Sequence, residues 1–78
     1  MDIKRAQFRF YAELNDFLKP AVRYQSVPLP FKGRQSVKHL VESLGVPHPE
    51  IDLILANGEP VNFDYLVQDG DRLSIYPV

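Results

Sequence analysis

The chain has 78 residues, no cysteine and a net charge of −1 at pH 7. A chain this short supports one hydrophobic core, so residues 1–78 are expected to form a single domain. The lack of thiols excludes a disulfide framework, a thiolate nucleophile and a thiolate metal site, and no apolar run approaches the roughly 20 residues that cross a bilayer.

Apolar residues make up 45% of the chain and are interspersed with charges, the composition of a folded domain rather than a disordered segment. Asp2, Lys4 and Arg5 interrupt the N-terminal region, which therefore lacks the apolar stretch of a signal peptide. The expected location is the cytoplasm. The charges are unevenly distributed. Residues 1–38 carry eight Lys or Arg against three acids, whereas residues 39–78 carry only Arg72 against seven acids. If the two halves separate in space, the domain has a basic and an acidic side, which favours oriented docking.

In chain order, Ala6, Phe8, Phe10 and Ala12 alternate with Gln7, Arg9, Tyr11 and Glu13, the period-two signature of a strand with one buried face. Leu14-Asn15-Asp16 breaks the alternation with turn-forming residues, and Phe17 and Leu18 are expected to cover one end of the core. A second strand is predicted from about Arg23 to Phe31, with Val27, Leu29 and Phe31 on its inner face. Pro28 and Pro30 share the other parity. Neither can donate a backbone hydrogen bond, so this strand belongs at a sheet edge, and the missing donors discourage pairing with a second copy. A monomer is expected.

Ser36 reads as a helix N-cap. Val37, Leu40, Val41 and Leu44 then follow at the i, i+3, i+4, i+7 spacing of one apolar helix stripe. Gly45 fits the left-handed position that ends such a helix, and Pro47 and Pro49 prevent its continuation. Burial of each of those four side chains contributes at most roughly 1.5–3 kcal/mol, which makes this helix the main element holding the sheet.

A third strand is predicted over Ile51–Ala56, with Ile51, Leu53 and Leu55 facing the core and Asp52, Ile54 and Ala56 facing out. Asn57-Gly58 has the composition of a tight hairpin turn. A short strand from Pro60 to Phe63, a connection through Tyr65 and Leu66, and a final strand from Arg72 to Pro77 complete the chain. In that last strand Leu73 and Ile75 face inward. The order strand, strand, helix, strand, short strand, strand predicts an α+β domain of the β-grasp (ubiquitin-like) type. Its mixed sheet of four to five strands has the helix packed across one face and the last strand parallel to the first.

Few residues have the pattern of a reactive site. His39 and His48 lack metal-ligand spacing. Asp69 and Asp71 flank Gly70, but two carboxylates are too few for calcium and read as turn-stabilising groups. The four serines have no histidine at a suggestive spacing, and the isolated glycines form no phosphate-binding loop. No catalytic residue, metal or cofactor is predicted, and the chain is not expected to be an enzyme. The outer sheet face is the better candidate. With the first and last strands adjacent, Gln7, Arg9 and Tyr11 lie beside Arg72, Ser74 and Tyr76, with Ile54 on the adjoining strand. Arg9, Tyr11, Ile54, Arg72 and Tyr76 have the mixed aromatic, cationic and apolar character enriched at protein interfaces. The same residues could stack on single-stranded RNA, although the sequence pI near 6.0 weighs against phosphate binding. An ordinary amphipathic face is the third reading.

The segments Phe8–Leu18, Ser36-Val37-Lys38, Leu44-Gly45-Val46-Pro47-His48, Ile54–Gly58, Val67–Arg72 and Tyr76-Pro77-Val78 together resemble one family. It is the ubiquitin-like domain found N-terminal to the Mut-seven C-terminal ribonuclease domain in bacterial proteins. That resemblance implies a non-catalytic accessory or interaction domain, beside a covalently linked nuclease or another protein partner. The family's nuclease has acidic metal ligands and a zinc ribbon, and none of those positions exists here. More distantly the chain is similar to the molybdopterin-synthase small subunit and the thiamine sulfur carrier. Those carriers use a flexible Gly-Gly terminus, where this sequence reads Tyr76-Pro77-Val78. The expectation is a domain boundary near Val78, with sulfur carrying as the alternative function and RNA contact as a second.

Overall fold

The computed structural model describes residues 2–78. Five strands are present: β1 (Lys4–Phe10), β2 (Ser26–Phe31), β3 (Ile51–Ala56), β4 (Glu59–Val61) and β5 (Arg72–Pro77), with one α-helix, α1 (Val37–Ser43). They form a single mixed sheet in the order β2-β1-β5-β3-β4. β1 and β5 are parallel; every other neighbouring pair is antiparallel. This is the predicted β-grasp arrangement, with the last strand inserted at the centre.

The alternation of β1 buries Ala6, Phe8 and Phe10. These meet Leu73 and Ile75 from β5, and Val37, Leu40 and Val41 from α1. Leu44, the last member of the helical stripe, is half-buried. The Ser36 side chain accepts the amide of His39 at 3.1 Å, which caps the helix as its position predicts. Gly45 has φ of +93° and stops the helix. A Cβ there would stand 3.3 Å from the Phe17 carbonyl oxygen, so backbone approaches the helix end at this point. Leu18 enters the core beside it, while the Phe17 ring stays 41% exposed.

Asn15 organises the connection from β1 to β2. Its Nδ2 donates to the carbonyls of Phe10 and Ala12, both at 3.0 Å, and its Oδ1 accepts the Tyr24 amide at 2.7 Å. Its burial is therefore fully compensated. At the sheet edge, Gln7 pairs with Pro28 and Arg5 with Pro30. The Gln7 amide bonds to the Asp71 carbonyl at 2.9 Å, on the β5 side. Pro28 therefore turns its nitrogen away from β1 toward the open edge, as the spacing of the two prolines requires.

Two expectations are overturned: Ala12 does not continue the buried face of β1 but is exposed, with φ of +51°, and the facing of β3 is reversed beyond Asp52. The β3–β5 register shifts between Ile51 and Leu53, leaving Asp52 as an extra residue. Such a bulge reverses the facing of everything beyond it. Ile54 lies opposite Ile75 and is 3% exposed, whereas Leu53 lies opposite Tyr76 and is 40% exposed. Ile54 is thus a core residue and not part of the outer face.

The charge asymmetry has a spatial counterpart. Strands β2 and β1, from the basic half, occupy one side of the sheet, and β5, β3 and β4 occupy the other. Arg72, the one base of the acidic half, lies on the border between them.

Candidate interaction surface

The outer face is built by the β1–β5 register. Gln7 lies beside Arg72 and Arg9 beside Ser74. On its far flank, Ser26 lies opposite Arg9. Beyond the end of β1, the Tyr11 amide bonds to the Ile75 carbonyl at 3.0 Å, carrying the same alternation one step further. Tyr11 and Tyr76 stack with ring centroids 4.4 Å apart and planes 8° from parallel. The Arg9 guanidinium sits 5.8 Å from the Tyr11 ring centroid, within cation–π range.

Four of the five residues read from the sequence, Arg9, Tyr11, Arg72 and Tyr76, therefore share one surface. Ile54 is replaced there by Leu53, paired with Tyr76, and by the half-buried Leu55, paired with Ser74. Partial burial, followed by the neighbouring Tyr11 phenol, pushes the Tyr76 hydroxyl above the usual tyrosine value.

Next to the tyrosine stack lies an open groove of about 270 Å³, lined by residues that include Gln7, Arg9, Ser26, Asn57, Arg72 and Ser74. Its rim is fixed from below by the Asn57-Gly58 hairpin, whose φ angles of +53° and +86° are those of a tight primed turn. Asn57 Oδ1 accepts the Arg72 amide at 2.9 Å, and its Nδ2 donates to Asp71 Oδ1 at 2.8 Å. Asp71 Oδ2 also accepts the Tyr65 hydroxyl at 2.7 Å and the Gln68 amide at 2.8 Å. Burial pulls the Asp71 carboxyl upward, but the Gln68, Tyr65 and Asn57 donors outweigh it and hold it below the usual carboxylate value. The same bond pushes the Tyr65 hydroxyl up.

Elsewhere, His48 Nδ1 lies 2.7 Å from Glu42 Oε2, and no Lys or Arg pairs with a carboxylate among the described residues. The His48 ring also meets the edge of Phe63 at a centroid distance of 5.5 Å. Among the described residues no group of three or more His, Asp or Glu is placed to hold a metal, and no helix is long and apolar enough to cross a membrane.

Residues 3–78 match the Mut7-C ubiquitin family. The chain belongs to that family. Among solved structures, this Mut7-C ubiquitin domain is similar to small archaeal modifier protein 1 of H. volcanii, with a TM-score of 0.71 and 19% identity over 95% of this chain and 97% of that one. A candidate molybdopterin converting factor subunit 1 from Pyrococcus furiosus gives a TM-score of 0.71 and 17% identity, with the same coverage of 95% and 97%. Urm1 from Trypanosoma brucei gives 0.67 and 16%, covering all of this chain and 95% of that one. At these identities the likeness is one of fold. The chain has no match among curated proteins.

Proposed function

We propose that this Mut7-C ubiquitin domain is a non-catalytic interaction module of the cytoplasm, monomeric in isolation, which docks a protein partner through the outer face of its sheet. The observation that carries the reading is the Arg9–Tyr11–Tyr76 stack, set beside the exposed Leu53. Tyrosine and arginine are the residues that most often dominate interface energetics, and here their side chains are already ordered against each other. The partner we propose is a Mut-seven C-terminal ribonuclease domain, a choice that rests on the sequence resemblance described above. Binding of that domain is expected to weaken about tenfold or more on Arg9→Ala or Tyr76→Ala. The thermal midpoint should hardly move in Arg9→Ala, whose side chain is exposed, and should fall by a few degrees in Tyr76→Ala, which is half-buried and loses its stack on Tyr11. Unchanged affinity in both variants would sink the assignment.

A second reading is a carrier or modifier role, and the fold neighbours favour it at least as well. Two of them are named as a modifier protein and a molybdopterin converting factor. Incubation of the native gene product with an E1-like activating enzyme, ATP and a sulfur donor tests it. Replacement of one C-terminal carboxylate oxygen by sulfur, read by mass spectrometry, would establish the carrier and displace the docking-only reading.

A further inference from the structure

Two guanidiniums that share one groove with no carboxylate between them repel each other, and here only solvent screening and the contact of Arg9 with the Tyr11 ring offset that repulsion. Arg9 and Arg72 are in this position, since neither forms an ion pair among the described residues. The acids of the adjacent turn are already engaged. Asp71 takes hydrogen bonds from Asn57, Tyr65 and Gln68, and Asp69 Oδ1 accepts the Arg5 amide at 2.8 Å. Asn57 fixes the backbone from which Arg72 projects. On the opposite wall, Gln7 Oε1 is taken by the Ser26 hydroxyl at 2.9 Å, leaving the Gln7 amide nitrogen as a donor. The Ser74 hydroxyl lies between the two walls. The groove therefore offers mainly donors and positive charge, while the amide oxygens of Gln7 and Asn57 are already used.

The geometry points to an anion subsite here, one that takes the carboxylate of an acidic, extended segment of the protein partner. This rests on the docking role proposed for the same face and adds the chemistry of the partner. Arg9 and Arg72 pair with the carboxylate, the contact for which guanidinium geometry is best suited. Ser74 and Tyr76 are two residues apart on β5, about 7 Å along the strand. The i and i+2 side chains of an extended segment have the same separation. An apolar side chain two positions from the acid therefore reaches Tyr76 and Leu53. RNA is the poorer occupant. RNA affinity depends on neutralising many phosphates, and this groove brings only two guanidiniums on a chain with a sequence pI near 6.0.

Amide shifts of the isotopically labelled chain can be followed during titration with a short unstructured peptide bearing one glutamate two positions from a leucine. Controls are the same peptide with glutamine in place of glutamate, and a single-stranded oligouridine. The glutamate peptide should shift Arg9, Gly58, Arg72 and Ser74. Its affinity should fall about tenfold for Arg9→Gln and for Arg72→Gln, and by a similar factor for the glutamine peptide. Equal affinity of the two peptides, or no shifts with the glutamate peptide, overturns the inference. So does tighter binding of the oligouridine that both arginine substitutions abolish. Nuclease-domain binding that falls with Tyr76→Ala but not with Arg72→Gln removes the anion subsite and leaves the docking face standing. Binding insensitive to both substitutions removes both.

Discussion

Asn57 donates to Asp71 at 2.8 Å, joining the β3–β4 turn to the residue that precedes β5. Because Asp71 is also held by Tyr65 and Gln68, the β3–β4 turn and the connection that leads into β5 are tied together at one buried carboxylate. Substituting Asp71→Asn keeps the shape but turns one acceptor oxygen into an NH2 donor that faces either Asn57 Nδ2 or the Gln68 amide, with an expected loss of about 1–3 kcal/mol in urea unfolding at neutral pH.

The same carboxyl gives a pH signature. Its folded-state pKa lies below the unfolded value, so its stabilising contribution is complete at neutral pH and is lost as pH falls through the acidic range toward the depressed value. Unfolding measured across that range should therefore show a shallower acid decline in Asp71→Asn than in the parent chain. An equally steep decline would mean that other carboxylates carry the acid sensitivity.

Ile54 and Leu53 make a paired test of the bulge. Ile54→Ala should cost about 2–5 kcal/mol, as for a buried aliphatic side chain. Leu53→Ala should leave stability within about 0.5 kcal/mol while weakening partner binding. The reverse ranking in denaturant melts would restore the unbulged facing.

The stacked tyrosines predict a spectroscopic shift. Removing the ring in Tyr11→Ala takes away a neighbouring phenol and exposes Tyr76. The alkaline titration of Tyr76, followed by tyrosinate absorbance or NMR, should then move down toward the ordinary tyrosine value.

Glu42 predicts an opposite movement. Its hydrogen bond with His48 is the main influence holding its carboxyl below the usual value. His48→Ala should raise the Glu42 titration midpoint toward that value, read by carbon-detected NMR. The pair is exposed, so global stability should scarcely change.

Periodicity made β1, α1 and the inner face of β5 legible in the sequence, because each follows one repeat without interruption. Proline chemistry placed β2 at an edge. The facing of β3 was not legible. Ile51-Asp52-Leu53-Ile54-Leu55 is apolar on both parities apart from Asp52, so alternation could not reveal the extra residue that sets which side is buried. The bulge appears only once β5 supplies a register. For the same reason alternation places Arg9, Tyr11, Arg72 and Tyr76 on one face and misplaces Ile54. The turn-stabilising role of Asp71 was legible, but its burial, its bonds to Asn57 and Tyr65, and the burial of Asn15 were hidden for a different reason. Polar residues in turns normally face solvent, and burial of these two depends on donors contributed from elsewhere in the chain.

The central position of β5 bears on how the chain is made. Until residues 72–77 leave the ribosome, the β1–β2 ribbon and the β3–β4 ribbon have no strand to join them, since β5 pairs with both β1 and β3. Synthesis delivers residues at about 5–20 per second, far slower than a hairpin forms. The nascent chain therefore spends seconds with both flanks of its sheet open, and closure follows the arrival of the final strand.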